Sequence, residues 1–265
     1  MLGRFELDKI YNEDAYKAIK DLPSDSIDLV YCDIPYDFEC NGGGGCFGEK
    51  KRNYHTEYER VSKNTKASRI YKSALKNADN CKEIAYGIDY AILEEFCRVC
   101  KHPYIYIWCS KKQIYPLMQF FVGEKGFRFE ILVWIKTNPI PTCNGKYLSD
   151  TEYCLMFREE GTTKIGGEMS TKGKYYISSL NVADKKLFEH ATIKPLPFVK
   201  NHIYNSTNEH DIVLDCFMGS GTTALACQEL NSHFIGFEIE PKWCKIANDR
   251  LNKIDAKGQL CMFAR

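Results

Sequence analysis

Strand-like and helical patterns alternate along this 265-residue chain, which predicts an α/β fold with a mostly parallel, doubly wound sheet. The two clearest signals are short apolar runs at 27–33 and 211–215. Each run ends in an aspartate and leads into a turn that contains proline or glycine, which is typical of a buried parallel strand. Because open sheets bind ligands outside the carboxyl ends of their strands, Asp33 and Asp215 are expected at one crevice.

The elements can be assigned in chain order from their periodicity and their end signals. Residues 5–11 alternate like a strand, and residues 15–22 have a helical pattern with Asn12 or Asp14 as the candidate cap. Gly126 is suited to close a later helix, and Pro241 to open another. The remaining predictions are strands at 27–33, 104–110, 128–136, 153–157, 211–215 and 234–239, and helices at 90–101, 112–125, 222–231 and 241–254.

The composition narrows the classes of protein to consider. With a net charge of +1, any nucleic-acid surface must be local, and no apolar run approaches the ~18–20 residues that span a bilayer. The N-terminus lacks the apolar core of a signal peptide, and the 13 cysteines are odd in number and dispersed, which predicts reduced thiols and a cytoplasmic location. Cys97, Cys100 and His102 lack a second ligand pair, so the cysteines are interpreted as buried hydrophobes and no metal is expected.

The turn Asp33-Ile34-Pro35-Tyr36 places a carboxylate, a rigid proline and an aromatic ring directly after a strand. The amino group of a nucleic-acid base is a poor nucleophile because its lone pair is delocalised into the ring. Two acceptors on its hydrogens, here the Asp33 carboxylate and the Ile34 carbonyl, favour the pyramidal form that can attack. Pro35 fixes the backbone, and Tyr36 offers a face on which an extruded base can stack, worth about 1–3 kcal/mol. By itself the turn is equally consistent with a strand that a proline terminates.

The segment 215–223 ends a strand and opens a helix, with Gly219 and Gly221 in a G-x-G pattern. Glycines there let the backbone approach a ligand, and Asp215 is a candidate partner for a ligand ammonium group. About 20 residues later Glu238 ends the next strand, where an acid can bind ribose hydroxyls. The G-x-G pattern alone is weak, because a tight packing turn has the same residues and no P-loop lysine follows.

Together the two motifs resemble the S-adenosylmethionine-dependent N6-adenine and N4-cytosine DNA methyltransferases in which the catalytic turn precedes the cofactor glycine segment. The resemblance extends over nearly the whole chain and includes 12–14, 131–139, 149–153, 190–195 and 234–251. It implies a Rossmann-like methyltransferase fold with a seven-stranded sheet and circularly permuted motif order, in a single catalytic domain over 1–265. Ile34, where the family has proline, and Glu13, where it often has glycine, depart from the pattern.

By this resemblance the chain is expected to be a site-specific methyltransferase that moves a methyl group from S-adenosylmethionine to N6 of adenine in DNA by base flipping. Aspartate rather than serine at the start of the turn favours adenine over cytosine. An N4-cytosine or RNA-base methyltransferase, a catalytically silent nucleic-acid-binding relative and a Rossmann dehydrogenase are the alternatives. The implied catalytic residues are Asp33, Ile34, Pro35 and Tyr36, and the implied cofactor-binding residues are Asp14, Lys194, Pro195, Asp215, Phe217, Gly219, Ser220, Gly221, Thr222, Thr223 and Glu238.

A basic segment follows the candidate catalytic turn and begins after four consecutive glycines. Over residues 50–76 nine basic side chains stand against two acidic ones, so the segment carries +7. It is interpreted either as a solvated, flexible insertion over 38–80 or as a loop that orders on a phosphate backbone of double-stranded DNA. A short target-recognition region is expected at 137–189, and homodimers and a paired restriction endonuclease are expected by resemblance. The candidate nucleic-acid-binding residues are Lys50, Lys51, Arg52, Lys63, Lys66, Arg69 and Lys136.

Overall fold

The computed structural model of the protein describes residues 1–37, 87–139, 147–162, 165–180 and 193–252. In these residues eight strands form one sheet in the order β1-β8-β7-β2-β3-β5-β4-β6. Neighbouring strands are parallel except for the two pairs that β5 makes with β3 and β4. The strands are β1 Lys9–Tyr11, β2 Leu29–Asp33, β3 Tyr104–Cys109, β4 Arg128–Lys136, β5 Thr151–Arg158, β6 Tyr175–Ser178, β7 Ile212–Asp215 and β8 His233–Phe237.

Helices cover both faces of this sheet, so the predicted doubly wound α/β fold is confirmed. The helices are α1 Ala15–Ala18, α2 Ile92–Val99, α3 Lys111–Met118, α4 Leu196–Ser206, α5 Thr222–Glu229 and α6 Pro241–Leu251. Residues of β2 alternate between the two layers: Val30 and Cys32 pack towards α1, α2 and α3, whereas Leu29 and Tyr31 pack towards α4, α5 and α6. No helix in the described ranges has the length and apolar character of a membrane span.

Several predicted elements have different ends in the structure. The pattern at 15–22 is α1 followed by a 3-10 turn, Ile19–Asp21, and the pattern at 112–125 is α3 followed by a π-helical turn, Gln119–Glu124. Asp14 is the cap of α1, since its Oδ1 accepts a hydrogen bond from the Tyr16 backbone N–H at 3.0 Å. Gly126 has a φ of 70°, as expected of a residue that closes a helical segment.

Two elements were not predicted from the sequence. Strand β6 adds an eighth strand to the seven expected, and it lies at the sheet edge beside β4, within the predicted recognition region. It has four residues and remains largely exposed, so its apolar alternation is too short to stand out. Helix α4 follows Pro195, and its apolar residues pack under β2 and β3.

The strand order reverses between β7 and β2. From β7 the chain continues to β8 on one side, whereas from β2 it continues to β3 on the other. Crevices at such switch points are the ligand sites of open α/β sheets. Asp33 ends β2 and Asp215 ends β7, so the two aspartates lie on either side of this crevice, as the sequence predicts.

Candidate active site

The turn after β2 is held in place by the corner between β3 and α3. Gln113, which is buried, donates its side-chain N–H to the Pro35 carbonyl at 2.8 Å, and its carbonyl oxygen accepts from the Ser110 backbone N–H at 2.9 Å. The Ser110 hydroxyl donates to the Asp37 carbonyl at 3.2 Å. These bonds satisfy turn carbonyls that have no strand partner, and they fix the direction in which the turn leaves the sheet.

A buried ammonium group lies at the centre of the site. Nζ of Lys194 is 2.8 Å from Oδ2 of Asp33, 3.0 Å from Oε2 of Glu152 and 3.0 Å from the hydroxyl of Tyr36. It also lies 5.2 Å from the ring centroid of Trp108, within the range of a cation–π contact. Three chain segments distant in sequence therefore meet at this lysine.

The second oxygen of Glu152 extends the cluster to a second lysine. Lys136 Nζ is 2.6 Å from Oε1 of Glu152, and both side chains are mostly buried. The Tyr36 hydroxyl lies 3.3 Å from Oε2 of the same glutamate. Two carboxylates and two ammonium groups thus alternate in the order Asp33, Lys194, Glu152, Lys136.

Burial and charge act in opposite directions on these groups. Burial raises the pKa of Asp33 above its ordinary value, and the Lys194 ammonium opposes that rise. Burial also acts to raise the pKa of Glu152, but Lys194 and Lys136 outweigh it and lower that pKa to about 2. For Lys194 burial acts to lower the pKa, whereas Asp33 and Glu152 raise it above the ordinary value. The ammonium of Lys194 is therefore charged across the physiological range.

The glycine segment forms a turn around a second buried carboxylate. Oδ1 of Asp215 accepts from the Phe217 backbone N–H at 2.9 Å, and Oδ2 accepts from the Thr223 hydroxyl at 2.6 Å. Burial raises the pKa of Asp215 to about 7, although these two bonds oppose the rise. Gly219 and Gly221 have φ values of 51° and 77°, in the left-handed region that favours glycine.

Glu238 joins the end of β8 to this turn. Its carboxylate accepts backbone N–H groups from Gly219 at 2.7 Å and from Glu240 at 2.9 Å. Burial raises the pKa of Glu238, and the two backbone bonds oppose it. Asn12 donates to the carbonyls of Glu238 and Ile239 at 2.8 and 2.9 Å, which brings segment 12–14 to the same edge. The predicted ribose acid therefore lies at the glycine turn and is already hydrogen-bonded there.

Asp33 of the predicted catalytic turn and most residues of the predicted glycine segment line one cleft. Lys194, predicted to bind the cofactor, also lines the cleft. The other predicted catalytic and cofactor-binding residues are outside its lining: Ile34, Pro35 and Tyr36 follow Asp33 in the turn, Gly221 belongs to the glycine turn, Glu238 follows β8, Asp14 caps α1 and Pro195 precedes α4. The residues around the cleft are Tyr31, Asp33, Trp108, Lys194, Val199, Asp215, Phe217, Met218, Gly219, Ser220, Thr222 and Thr223.

The predicted DNA-binding residues are placed differently or lie outside the described part. The side chain of Lys136 is 14% exposed and is held by Glu152, because β4 and β5 pair side by side and bring the two side chains together. The Lys136 side chain is therefore not on an open surface, where it would have to lie to contact a DNA phosphate. Lys50, Lys51, Arg52, Lys63, Lys66 and Arg69 lie outside the described residues.

Several residues that line or support the site were not predicted from the sequence, among them Glu152, Trp108 and Arg250. Glu152 belongs to a segment that resembles the family, but no role was assigned to it. Trp108 is an aromatic residue near the end of a predicted strand, and its indole N–H donates to the buried Tyr31 hydroxyl at 2.9 Å. Arg250 is buried and donates to the Ser220 carbonyl at 3.1 Å and the Thr222 hydroxyl at 2.8 Å, so α6 holds the glycine turn from below. Arg250 is a charged residue on a helix that also has an exposed face, so the sequence did not indicate that it is buried.

The cysteines contribute packing in the described part of the chain. All eight cysteines described there are free, and seven of them are buried. Burial raises the pKa of Cys97 and of Cys100 to about 12. These two thiols are therefore protonated at neutral pH, and the described residues contain no cluster suited to a metal ion.

Solved structures with similar folds include DNA methyltransferases. The complex of M1.HpyAVI with SAM has a TM-score of 0.60 and 27% identity, and the alignment covers 92% of this chain and 98% of the other. The PvuII DNA methyltransferase, described as cytosine-N4-specific, has a TM-score of 0.59 at 16% identity, covering 91% and 85%, and shows likeness of fold.

Curated relatives include bacterial modification enzymes. The Type II methyltransferase M2.LlaDCHI of Lactococcus lactis subsp. cremoris is 24% identical, with 92% of this chain and 89% of the relative aligned. The Type II methyltransferase M.HpaI of Haemophilus parainfluenzae is 28% identical, covering 90% and 72%. The family model described as DNA methylase matches residues 27–249, from the strand of the catalytic turn to the helix after Glu238. The chain therefore belongs to the DNA methylase family, as its two motifs predict.

Proposed function

We propose that this DNA methylase transfers a methyl group from S-adenosylmethionine to the N6 amino group of adenine in DNA. The observation that carries the proposal is the position of Asp33. Its carboxylate lines the same cleft as the glycine turn that follows β7, so an acceptor for a base amino group adjoins the proposed cofactor site. The aspartate that begins the turn favours adenine by resemblance, whereas serine would favour cytosine.

The residues around the glycine turn fit this cofactor. Left-handed glycines keep side chains away from the turn, and the buried carboxyl of Asp215 lies beneath it. Glu238 lies beside the same turn at the end of β8. When bound, S-adenosylmethionine supplies a methyl group activated by a sulfonium. Asp215 is proposed to bind its ammonium group and Glu238 its ribose hydroxyls.

The protein's own contribution is alignment of the base. The Asp33 carboxylate and the Ile34 carbonyl accept hydrogen bonds from the amino group and direct its lone pair at the methyl group. The Tyr36 ring stacks on the extruded base, which offsets part of the few kcal/mol that flipping costs. The Asp33 carboxylate can take the proton that the methylated amino group gives up.

Substitution of Asp33 by alanine tests this assignment. The variant should lose turnover on DNA by at least two orders of magnitude while its affinity for S-adenosylmethionine, measured by calorimetry, stays within about threefold. Mass spectrometry of DNA treated with the unmodified protein should detect N6-methyladenine. Detection of N4-methylcytosine alone, or of methylated RNA alone, would assign one of the alternative substrates. Absence of any product would indicate a silent relative.

The partners of the enzyme are part of the proposal. Double-stranded DNA is the substrate, with the segments 38–80 and 137–189 as candidate contact regions. A cognate restriction endonuclease is proposed because the curated relatives carry Type II names. The cytoplasmic location expected from the reduced cysteines remains a prediction.

A homodimer is proposed on the resemblance and on one exposed sheet face. Phe129, Ile131, Tyr175 and Ile177 of β4 and β6 lie on the same face and are each 41–64% exposed. Such an apolar face is typical of a contact between proteins. Light scattering at several concentrations should give the mass of a dimer, and Ile177→Asp should reduce it to that of a monomer. A monomer at every concentration, with and without DNA, would contradict the proposal.

A further inference from the structure

The Asp33 carboxylate is partly neutralised by Lys194, a cation that lies outside the catalytic turn. Oδ2 of Asp33 contacts Nζ of Lys194 at 2.8 Å, while its Oδ1 is buried and has no hydrogen-bond partner among the described residues. An ionised carboxylate in such a place is costly unless a cation lies nearby. Lys194, itself 6% exposed, supplies that cation.

The ammonium of Lys194 is shared between two anions. Glu152 contacts it at 3.0 Å from the strand β5, and Lys136 contacts the other oxygen of Glu152 at 2.6 Å from β4. Glu152 therefore keeps Lys194 beside the turn, while its own negative charge opposes the ionisation of Asp33. The strength of the Asp33 contact depends on both partners.

We propose that Lys194 and Glu152 are a positioning pair for the methyl transfer, in which Lys194 orients the Asp33 carboxylate and favours its ionised form, while Glu152 holds Lys194 in place and its negative charge counteracts part of the effect of the lysine on Asp33. The proposal rests on the catalytic role proposed for Asp33. It gives Lys194 a function at the base-binding side of the cleft, in place of the cofactor contact expected from the sequence. Neither residue needs to touch the base or the cofactor for this function.

Lys194 and Glu152 should have opposite effects on the ionisation of Asp33, and this difference can be tested by substitution. Removing the cation leaves Asp33 facing a second carboxylate, whereas removing the Glu152 charge leaves Asp33 beside Lys194 without that opposing negative charge. Lys136 acts on the site through its ion pair with Glu152. The ionisable groups that surround Asp33 are Tyr31 of β2, Tyr36 of the turn, Cys109 of β3, Glu152 and Cys154 of β5, Asp215 of β7 and Lys194 before α4.

The experiment is a titration of Asp33 in the free protein, followed by carboxyl carbon NMR, with the signal assigned by its disappearance in Asp33→Asn. In Lys194→Met the titration midpoint should rise by about 1–3 pH units. In Glu152→Gln it should fall. Lys194→Arg, which keeps the cation, should stay close to the unmodified protein. Lys200→Met and Glu229→Gln remove the two partners of an ion pair on neighbouring helices, α4 and α5, and are the matched controls that should leave the midpoint in place.

Single-turnover methylation of DNA across pH gives the second measurement. The acidic limb of the rate profile should move with the Asp33 midpoint, to higher pH in Lys194→Met and to lower pH in Glu152→Gln, with cofactor affinity within about threefold. If the two variants shifted the Asp33 midpoint and the acidic limb in the same direction, or did not shift them, the proposed positioning pair would be overturned. If Lys194→Met does not fold by circular dichroism, Glu152→Gln decides, since an unchanged or raised midpoint there contradicts the proposal. The Asp33 midpoints of Lys194→Met and Glu152→Gln could shift in opposite directions while the unmodified protein methylates no adenine. That result would contradict the proposed function but would leave the effect of Lys194 and Glu152 on Asp33 standing.

Discussion

At the scale of the residue, the two aspartates of the cleft differ in how their burial is compensated. Asp33 has a lysine ammonium at 2.8 Å, whereas Asp215 has neutral donors, a hydroxyl and a backbone N–H. Neutral donors offset less of the cost of a buried charge than an ammonium does. Asp215 is therefore suited to receive a cationic ligand group, while Asp33 already has a cationic partner in Lys194.

This difference predicts how stability depends on pH. Burial raises the pKa of Asp215 from 3.8 to about 7, so the folded protein holds this proton more tightly than the unfolded chain. The protonated form therefore favours folding at acidic pH, and that contribution is lost as the pH rises from about 4 to 7. Asp215→Asn, which mimics the protonated form, should be more stable than the unmodified protein at pH 8, by up to ~4 kcal/mol, with the gap shrinking towards pH 5.

Urea unfolding at pH 5 to 8 measures this gap. Asp249→Asn is the matched control, because its carboxylate belongs to an i,i+4 surface ion pair with Lys245. Its effect should remain below about 1 kcal/mol at each pH. A gap for Asp215→Asn that is constant with pH would show that the buried carboxyl titrates as it does in the unfolded chain.

At the scale of the element, the glycine turn depends on the helix beneath it. A Cβ atom built on Gly221 would lie 3.0 Å from Cβ of Ala247 in α6, and the residue has a φ of 77°. Both the left-handed backbone and the close approach to α6 therefore require glycine. Helix α6 further anchors the turn through Arg250, so α5 and α6 together hold the glycine turn in place.

Substitution of Gly221 by alanine should strain this turn. We expect a loss of about 1–3 kcal/mol in the free energy of unfolding, together with weaker binding of S-adenosylmethionine in calorimetry. Gly123→Ala is the control, since no heavy atom lies within 4 Å of its built Cβ. That variant should be within about 1 kcal/mol of the unmodified protein. Equal stability of the two variants would show that α6 can retreat from the turn.

At the scale of the whole molecule, the site lies on a nearly neutral chain whose positive charge is concentrated in one segment. Residues 50–76 carry +7 against a total of +1, and they begin 14 positions after Tyr36, the last residue of the turn that follows β2. Such a local excess is typical of a contact with a phosphate backbone. The segment lies outside the described residues, so its role remains a prediction from charge and position.

Replacement of Lys63, Lys66 and Arg69 together by alanine tests that role. DNA binding should weaken for all sequences, and the log–log salt dependence should flatten by up to about 0.9 for each phosphate that the variant no longer neutralises. Cofactor affinity should stay the same. Lys9, Lys17 and Lys245, three exposed lysines with carboxylate partners, provide a triple-alanine control of equal charge. If both triple variants bind DNA like the unmodified protein, DNA is bound mainly by 137–189.

The order of the elements and the two motifs could be predicted from the sequence because both are local. The apolar run before Asp33, the glycines after Asp215 and the acid at Glu238 each lie within a few residues of the strand that positions them. Strand β6 and helix α4 were missed, since a four-residue edge strand and a helix with a mixed polar and apolar pattern give weak periodicity.

The sequence by itself determined the fold class, the DNA methylase family and the two ends of the cleft. Only the tertiary structure decided what compensates the Asp33 carboxylate. Lys194, Glu152 and Asp33 are separated by 42 and 119 residues along the chain, and they meet because β2, β3 and β5 are neighbours in the sheet and α4 begins beside their ends. Contacts between such distant residues depend on the pairing of strands and the packing of helices, which no local spacing encodes.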